Sequence, residues 1–208
     1  EQRAEEVLQL RELGFRSVKL RVHSFDLAED IAQVEVVRRT VGDSMEIGVD
    51  ANQGWRVALV DDAPLWTLER ASDFARACSD LDVGWIEEPL DMYAYDEQAE
   101  LCRRSTVPIA GGELNGGWHE FKVMLEKGSY DIYQPDATMG GGIGDARLVL
   151  EILERLRQRG RRERQVEQQR EHEEPPIRQQ GAPQTPDQLQ VEAALQHLVA
   201  LDGRRPRP

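Results

Sequence analysis

The stretch WIEEP at residues 85–89 decides how this chain is interpreted, because a short apolar strand signal ends there in two acids and a proline. Two other strand signals end in acids or polar residues in a similar way, GVDANQ at 48–53 and IAGGE at 109–113. The acids concerned are Asp50, Glu87 and Glu113. A single acid after a strand is usually a helix N-cap or a solvated turn residue. Three of them, spaced 37 and 26 residues apart, indicate a shared site.

Strand and helix signals alternate on both sides of these stretches. The sequence predicts strands at 17–22, 46–50, 83–87, 107–111 and 131–134. It predicts helices at 1–13, 27–41, 64–79, 95–104, 116–127 and 143–159. This alternation is typical of βαβ units and a parallel sheet, and therefore of the α/β class. It fits either an open doubly wound sheet or part of a β/α barrel.

The first strand adds basic residues to the same edge of the sheet. Alternation along that strand places Lys19, Arg21 and His23 on one face. In β/α barrels the active site lies at the C-terminal edge of the strands. Carboxylates that converge there repel one another, and a hard divalent cation with oxygen ligands relieves the repulsion. The strand ends therefore predict a metal site.

The ordered set of Lys-x-Arg, VDANQ, WIEEP, AGGE and QPD resembles the mandelate racemase branch of the enolase superfamily over residues 1–159. The resemblance implies a modified (β/α)8 barrel that follows an α+β capping domain. It also implies bound Mg²⁺ and abstraction of the proton α to a carboxylate, with the metal stabilising the resulting enediolate. The expected fold is a partial TIM-type barrel of about five strands. The capping domain and the last barrel strands have no counterpart in these residues.

The resemblance also assigns roles to residues. Asp50, Glu87 and Glu113 are implied metal ligands, and Glu87 is preferred to Glu88, which is expected to point out of the barrel. Asn52 is implied to lie near the substrate, and His23 is a further candidate for substrate contact. Lys19, Arg21 and Asp136 are the candidate catalytic residues. Asp136 matches an acid that orients a histidine, which favours this branch over the muconate cycloisomerase branch.

Two departures from the family pattern weaken the acid–base prediction. Arg21 stands where a lysine base is expected, and arginine stays protonated, so it is better suited to clamp a carboxylate. Lys19 is then expected to act as a base if the metal and Arg21 lower its pKa. No histidine partner of Asp136 is identified in the sequence, because His172 and His197 are predicted to be surface residues. We expect little dehydratase turnover from this chain.

The composition changes near Gly160. Residues 1–159 carry the whole formal net charge of −13, whereas the tail has eight arginines and eight acids. We therefore divide the chain into a partial barrel domain, 1–159, and an Arg/Gln/Glu/Pro-rich tail, 160–208, that is atypical of the family. The tail is predicted to be disordered or irregular, with one amphipathic helix near 186–201. An altered reading frame or a truncation is our hypothesis for this change.

Composition also restricts the partners. The negative charge argues against nucleic acid, which needs clustered lysine and arginine, and no apolar run is long enough for a membrane span. Cys78 and Cys102 are too few for a disulfide framework, which favours the cytoplasm. The exposed edges of a five-stranded sheet favour association, so a homo-oligomer is one expectation. The expected partner is a small acid sugar or hydroxy acid.

The sequence thus predicts a Mg²⁺-dependent lyase, an acid-sugar dehydratase. Two alternatives remain open at this point. One is a racemase or epimerase of the same branch, and the other is a catalytically silent relic that retains a metal site.

Overall fold

The strands form one parallel sheet in which every strand lies beside its neighbour in sequence. In the computed structural model, the residues described are 2–55 and 65–156. The strands are β1 (Ser17–Arg21), β2 (Glu46–Asp50), β3 (Trp85–Glu87), β4 (Ile109–Gly111) and β5 (Ile132–Tyr133), in the spatial order β1-β2-β3-β4-β5. A doubly wound sheet reverses its strand order at a switch point, whereas a barrel winds in one direction. The uninterrupted order therefore favours part of a barrel.

A helix links each strand to the next, and one further helix lies before β1 and another after β5. The helices are α1 (Gln2–Glu12), α2 (Leu27–Val41), α3 (Leu68–Asp80), α4 (Tyr95–Arg104), α5 (Gly117–Lys127) and α6 (residues 143–156), with a 3-10 turn at Gly42–Ser44. Asp26 caps α2 by accepting a hydrogen bond from the N–H of Ala28 at 2.9 Å. Gly128 ends α5 in the left-handed conformation, with φ 69°, which glycine adopts without steric cost. The predicted α/β class and five parallel strands are confirmed.

Several predicted boundaries need correction. The first strand ends at Arg21 instead of residue 22, although the N–H of Val22 still donates to the Asp50 carbonyl at 2.9 Å. The third helix begins at Leu68 instead of residue 64, because Thr67 is its N-cap and accepts a hydrogen bond from the N–H of Arg70. The third, fourth and fifth strands are shorter than predicted, since their first residues lie outside the paired ladder.

The core lies between the sheet and the helices that cover it. Ile47, Val49 and Ile86 are fully buried in central strands, as expected when both faces of a parallel sheet are covered. The helix α3 buries Ala71, Phe74, Ala75 and Cys78, the one-sided spacing of an amphipathic helix. Gly48 lies opposite Trp85 in the register, and a Cβ there would lie 2.2 Å from the indole ring. Only glycine fits this position.

The register aligns the carboxyl ends of the first three strands. Arg21 pairs with Asp50, and Asp50 pairs with Glu87. Within the part of the chain that the structure describes, no helix has both the length and the apolar character to cross a bilayer. The predicted tail, its amphipathic helix, His172 and His197 all lie outside the described residues.

Candidate active site

Two buried carboxylates form the centre of the candidate site. Asp50 closes β2 and Glu87 closes β3, and the two residues are direct partners across the parallel ladder. Asp50 is 3% exposed and Glu87 is 2% exposed. Buried carboxylates require charged or hydrogen-bonding partners, because the loss of hydration is costly. The basic residues of β1 supply these partners.

Lys19 lies between the two carboxylates. Its Nζ donates to Glu87 Oε1 at 2.8 Å and to Oε2 at 2.9 Å, and it lies 3.5 Å from Asp50 Oδ2. Arg21, two residues further along β1, donates from Nη2 to Asp50 Oδ2 at 3.2 Å. The alternation predicted for β1 therefore does bring Lys19 and Arg21 to the predicted metal ligands. Arg21 keeps 71% of its side chain exposed, so most of its guanidinium faces solvent.

The surroundings of Lys19 favour its charged form. Partial burial lowers the pKa of Lys19, but the hydrogen bonds and attraction from Glu87 and Asp50 outweigh it and raise that pKa above its ordinary value. The expectation that a metal ion and Arg21 lower the pKa of Lys19 stays a prediction for the metal-bound protein. Two carboxylates face the ammonium at close range, and they stabilise its charged form.

Glu113 faces the same cluster from the loop after β4. Its side chain is half-buried, and burial raises its pKa, with further increases caused by Glu87 and Asp50. Lys19 and Arg21 act on the pKa of Glu113 in the opposite direction. These interactions place Glu113 within electrostatic reach of the predicted ligands. Among residues 2–55 and 65–156, however, no three acidic, histidine or cysteine side chains form a ready-made metal-binding group.

Glu88 is a member of the cluster that the sequence interpretation missed. It is 4% exposed, its backbone has φ +45°, and burial followed by repulsion from Glu113, Asp50 and Glu87 raises its pKa to about 7. Burial and these repulsions place Glu88 within electrostatic reach of the candidate site. The expectation that its side chain points out of the barrel stays a prediction. The doublet of acids before Pro89 is the sequence feature that indicates its presence here.

The loop after β2 packs closely on Glu88 and Asp50. A Cβ at Gly54 would lie 2.5 Å from the Glu88 carboxyl carbon, so glycine is required for this close approach. The N–H of Asn52 donates to Asp50 Oδ1 at 3.0 Å, while its side-chain Nδ2 lies 3.4 Å from the Asp50 carbonyl. Asn52 thus orients the Asp50 carboxylate. Its substrate contact stays a prediction.

The two remaining candidate residues lie in loops. His23 is half-buried just beyond β1. Asp136 follows β5, where its Oδ1 accepts hydrogen bonds from the N–H of Thr138 at 2.6 Å and of Met139 at 3.3 Å. The Thr138 hydroxyl also donates to Asp136 Oδ1 and is the largest cause of the lowered pKa of Asp136, followed by the Thr138 N–H. In this structure Asp136 caps its own turn, and its role in orienting a histidine stays a prediction.

The donor chemistry of the cluster suits a hard divalent cation. Carboxylate oxygens are the ligands that Mg²⁺ prefers. Four acids, Asp50, Glu87, Glu88 and Glu113, lie within electrostatic reach of two basic residues. The pKa values of Glu88 and Glu113 are raised mainly by burial and further by repulsion from the other acids. A bound cation would relieve that repulsion. The residues present therefore fit the implied metal.

Relatives of known activity match the described region. One is the L-talarate/galactarate dehydratase of Salmonella typhimurium, 34% identical over 152 residues, which cover 73% of this chain and 35% of that protein. Another is the L-Ala-D/L-Glu epimerase of Bacillus subtilis, 38% identical over 141 residues, which cover 68% of this chain and 36% of that protein. The chain spans little more than a third of these relatives.

A solved structure shows the same architecture. The L-talarate dehydratase from Polaromonas sp. JS666, crystallised with Mg and L-glucarate, superposes with a TM-score of 0.66 at 31% identity. The match covers 74% of this chain and 40% of that one, which agrees with a partial TIM barrel. The family model described as enolase C-terminal domain-like matches residues 2–158. This chain belongs to the enolase C-terminal domain-like family.

Proposed function

We propose that this chain carries part of the active site of a Mg²⁺-dependent acid-sugar dehydratase, a lyase that removes the proton α to a carboxylate. The observation that carries this proposal is the cluster of Asp50, Glu87 and Glu113 with Lys19 and Arg21 beside it. The dehydratases among the matched relatives support it. The substrate class is a sugar acid or a related hydroxy acid.

Asp50, Glu87 and Glu113 would hold the metal ion. When bound, Mg²⁺ supplies Lewis-acid stabilisation of the negative charge that develops on the substrate carboxylate after proton removal. Two of these side chains are already fixed by the sheet, since Asp50 and Glu87 are register partners. Glu113 lies on a loop, so it is the ligand with the most freedom to adjust.

Lys19 is the proposed base, and its Nζ is the atom that would accept the proton. While Lys19 donates to both oxygens of Glu87, its ammonium holds its own proton. The pKa of Lys19 falls only when another cation neutralises Glu87 and Asp50, because their attraction is what raises it. We therefore expect Lys19 to act as a base only in the metal-loaded protein.

Arg21 is the proposed carboxylate clamp. Its guanidinium donates to Asp50 Oδ2 and is otherwise largely exposed, which leaves donors directed to solvent. A guanidinium stays charged and can bind a carboxylate through two parallel hydrogen bonds. Arg21 would thus orient the substrate while Lys19 takes the proton.

A racemase or epimerase is the second candidate, and the match to an epimerase favours it. Both reactions begin with removal of the α-proton. Dehydration then expels a hydroxide with the help of an acid, whereas racemisation returns a proton to the opposite face. The products therefore separate the two candidates: a keto acid from one, the opposite stereoisomer from the other.

Exchange of the α-proton in D₂O tests the step that both candidates share. The full chain is incubated with Mg²⁺ and a panel of sugar acids and hydroxy acids, and deuterium incorporation is followed by NMR. We expect slow exchange that Lys19→Met abolishes and that Lys122→Met, an exposed lysine on α5, leaves intact. Exchange that survives in Lys19→Met contradicts the role of Lys19. A wild-type chain that binds Mg²⁺ without any exchange would instead be a silent relic.

A further inference from the structure

A buried ion pair lies outside the carboxylate cluster, at the start of α2. Asp30 is fully buried, its Oδ1 accepts the N–H of Ser24 at 2.9 Å, and its Oδ2 accepts Arg70 Nη2 at 3.0 Å. A buried charge pair is costly unless its remaining hydrogen-bonding capacity is used. Both partners of this pair bind one loop, residues 22–26, although Arg70 Nε has no hydrogen-bond partner among the described residues.

Arg70 binds the backbone of that loop directly. From α3 its Nη1 donates to the Phe25 carbonyl and its Nη2 to the Ser24 carbonyl, both at 2.8 Å. The Phe25 ring is 66% exposed, so its burial does little to hold the loop. The polar contacts of Asp30 and Arg70 are therefore the main restraints on the backbone of residues 24 and 25.

The same arginine connects to the loop after β2. Its guanidinium lies 4.8 Å over the ring of Trp66, which is buried. The N–H of Trp66 donates to Gln53 Oε1 at 2.9 Å. Gln53 is buried as well, and its Nε2 donates to the Ala51 carbonyl at 2.7 Å. These contacts therefore restrain Ala51 and Gln53, the residues on both sides of Asn52.

We propose that Arg70, held by Asp30, is a positioning residue that fixes two loops relative to each other, residues 22–26 with His23 and residues 51–53 with Asn52. The inference rests on the proposed function, because those two residues are the predicted substrate contacts. Arg70 itself lies behind the loops and acts through them. Its loss displaces the predicted substrate-binding side chains and leaves the backbone of Asp50 and Glu87, which the sheet holds, in place.

Arg70→Lys tests the geometry while it keeps the positive charge. Lysine cannot reproduce the planar fork that binds Asp30 and two carbonyls at once. Arg76→Lys on the same helix is the matched control, since Arg76 forms an exposed pair with Asp73. Asp30→Asn is a second variant that keeps an acceptor for Ser24. Hydrogen exchange of the full chain, followed by mass spectrometry, compares these proteins.

We expect exchange to accelerate by about tenfold in peptides covering residues 22–28 and 51–55 of Arg70→Lys, with protection of β2 to β4 retained. Arg76→Lys should match the wild type. By calorimetry, galactarate should bind Arg70→Lys with Mg²⁺ about tenfold more weakly. Affinity for Mg²⁺ alone should fall by a smaller factor, because only the Asn52 N–H that holds Asp50 Oδ1 is loosened. A purely structural defect would weaken both ligands by the same factor.

Unchanged loop exchange in both Arg70→Lys and Asp30→Asn overturns the positioning role. Faster exchange with wild-type affinity for galactarate overturns it too, because the loops then do not set substrate binding. Both results leave the proposed function standing if the wild-type chain binds Mg²⁺ and galactarate. A wild-type chain that binds neither ligand overturns the proposed function, and the positioning role falls with it.

Discussion

The ends of β2 and β3 differ sharply from the end of β5, although each has an acid at or near its last residue. Asp50 and Glu87 are register partners, both are buried, and both contact Lys19. Asp136 follows β5 by three residues and turns its carboxylate into its own loop, where Thr138 and Met139 satisfy it. Asp50 and Glu87 form the centre of the candidate site, whereas Asp136 accepts hydrogen bonds within its own turn.

This difference shows what makes an acid at a strand end functional. Sequence spacing puts each acid near the C-terminal edge of the sheet, but only alignment across adjacent strands brings two carboxylates to one cation. Burial raises the free-energy cost of leaving these carboxylates unpaired. Lys19 and Arg21 of β1 supply the opposite charge. Asp136, which lies beyond its strand, instead accepts hydrogen bonds from the N–H groups of its own turn.

Glu87→Gln should have the largest effect, because it removes a charge from the centre of the aligned pair. Loss of partners that merely orient metal ligands weakens binding about 10–100-fold, so loss of a ligand charge should weaken Mg²⁺ binding by about 100-fold or more. Isothermal titration of Mg²⁺ measures this. Glu46→Gln, at the opposite end of β2, is the control and should bind Mg²⁺ like the wild type. Equal affinities in the two variants would contradict the assignment of Glu87.

Glu113→Gln sharpens the same comparison. Glu113 lies on a loop and is half-buried, so glutamine is accommodated there without strain on the sheet. We expect Mg²⁺ affinity to fall strongly, because the remaining ligands lose one of three charges. Titration calorimetry again provides the measurement, and thermal unfolding without metal should show a stability close to that of the wild type. Unchanged Mg²⁺ affinity would remove Glu113 from the ligand set.

Lys19→Met should destabilise the metal-free protein. The substitution leaves Glu87 buried without its main partner. We expect the free energy of unfolding to fall by about 1–2 kcal/mol. This is less than for a fully buried pair, because the Lys19 side chain is 41% exposed. Since the folded-state pKa of Lys19 is raised, this stability is present at neutral pH and is lost as pH rises through that pKa. Urea unfolding at neutral and strongly alkaline pH measures it. A variant as stable as Lys122→Met at neutral pH would show that the contact contributes nothing.

The sequence predicts the sheet well and the cluster only in part. The helix at Leu27–Val41 and the strand at Glu46–Asp50 have the predicted bounds because caps and apolar periodicity mark them. The alternation of Lys19 and Arg21 on β1 was enough to place both at the carboxylates. These features depend on local patterns that a sequence displays directly.

Other features depend on conformation that residue types do not reveal. Glu88 has a left-handed backbone angle and is buried, and the loop glycine Gly54 lies close to its carboxylate. The raised pKa of Lys19 follows from distances of about 3 Å that no spacing rule supplies. The ion pair of Asp30 and Arg70 joins residues 40 positions apart, and no sequence motif predicts it.

Glu88→Gln should change how stability depends on pH. Burial raises the pKa of Glu88 to about 7, so between its usual pKa and about pH 7 the folded state keeps a proton that the unfolded state has released. The wild type therefore loses stability as pH rises through this window, by about 1–2 kcal/mol after allowance for solvent screening. Urea unfolding without added metal at pH 5 and pH 8 compares the two proteins.

We expect Glu88→Gln to be more stable than the wild type at pH 8 and to lose that advantage at pH 5. The exposed substitution Glu97→Gln is the control, and its difference from the wild type should not follow this pattern. Glu113, whose pKa is also raised, contributes in the same direction but is common to all three proteins. Parallel pH profiles for the wild type and Glu88→Gln would contradict the buried position of Glu88.

Asp136→Asn should have the smallest effect, and it tests the other side of the comparison. Asparagine keeps a side-chain oxygen that can accept from the N–H groups of Thr138 and Met139, so the turn at 136–140 should persist with a slightly lower melting temperature. Asp136→Ala removes that acceptor and should lower the melting temperature further. Because the carboxylate serves its own loop, neither variant should alter Mg²⁺ affinity, in contrast to Glu87→Gln. Calorimetric titration and thermal unfolding of both variants measure this, and weakened Mg²⁺ binding in Asp136→Asn would show that the end of β5 belongs to the metal site after all.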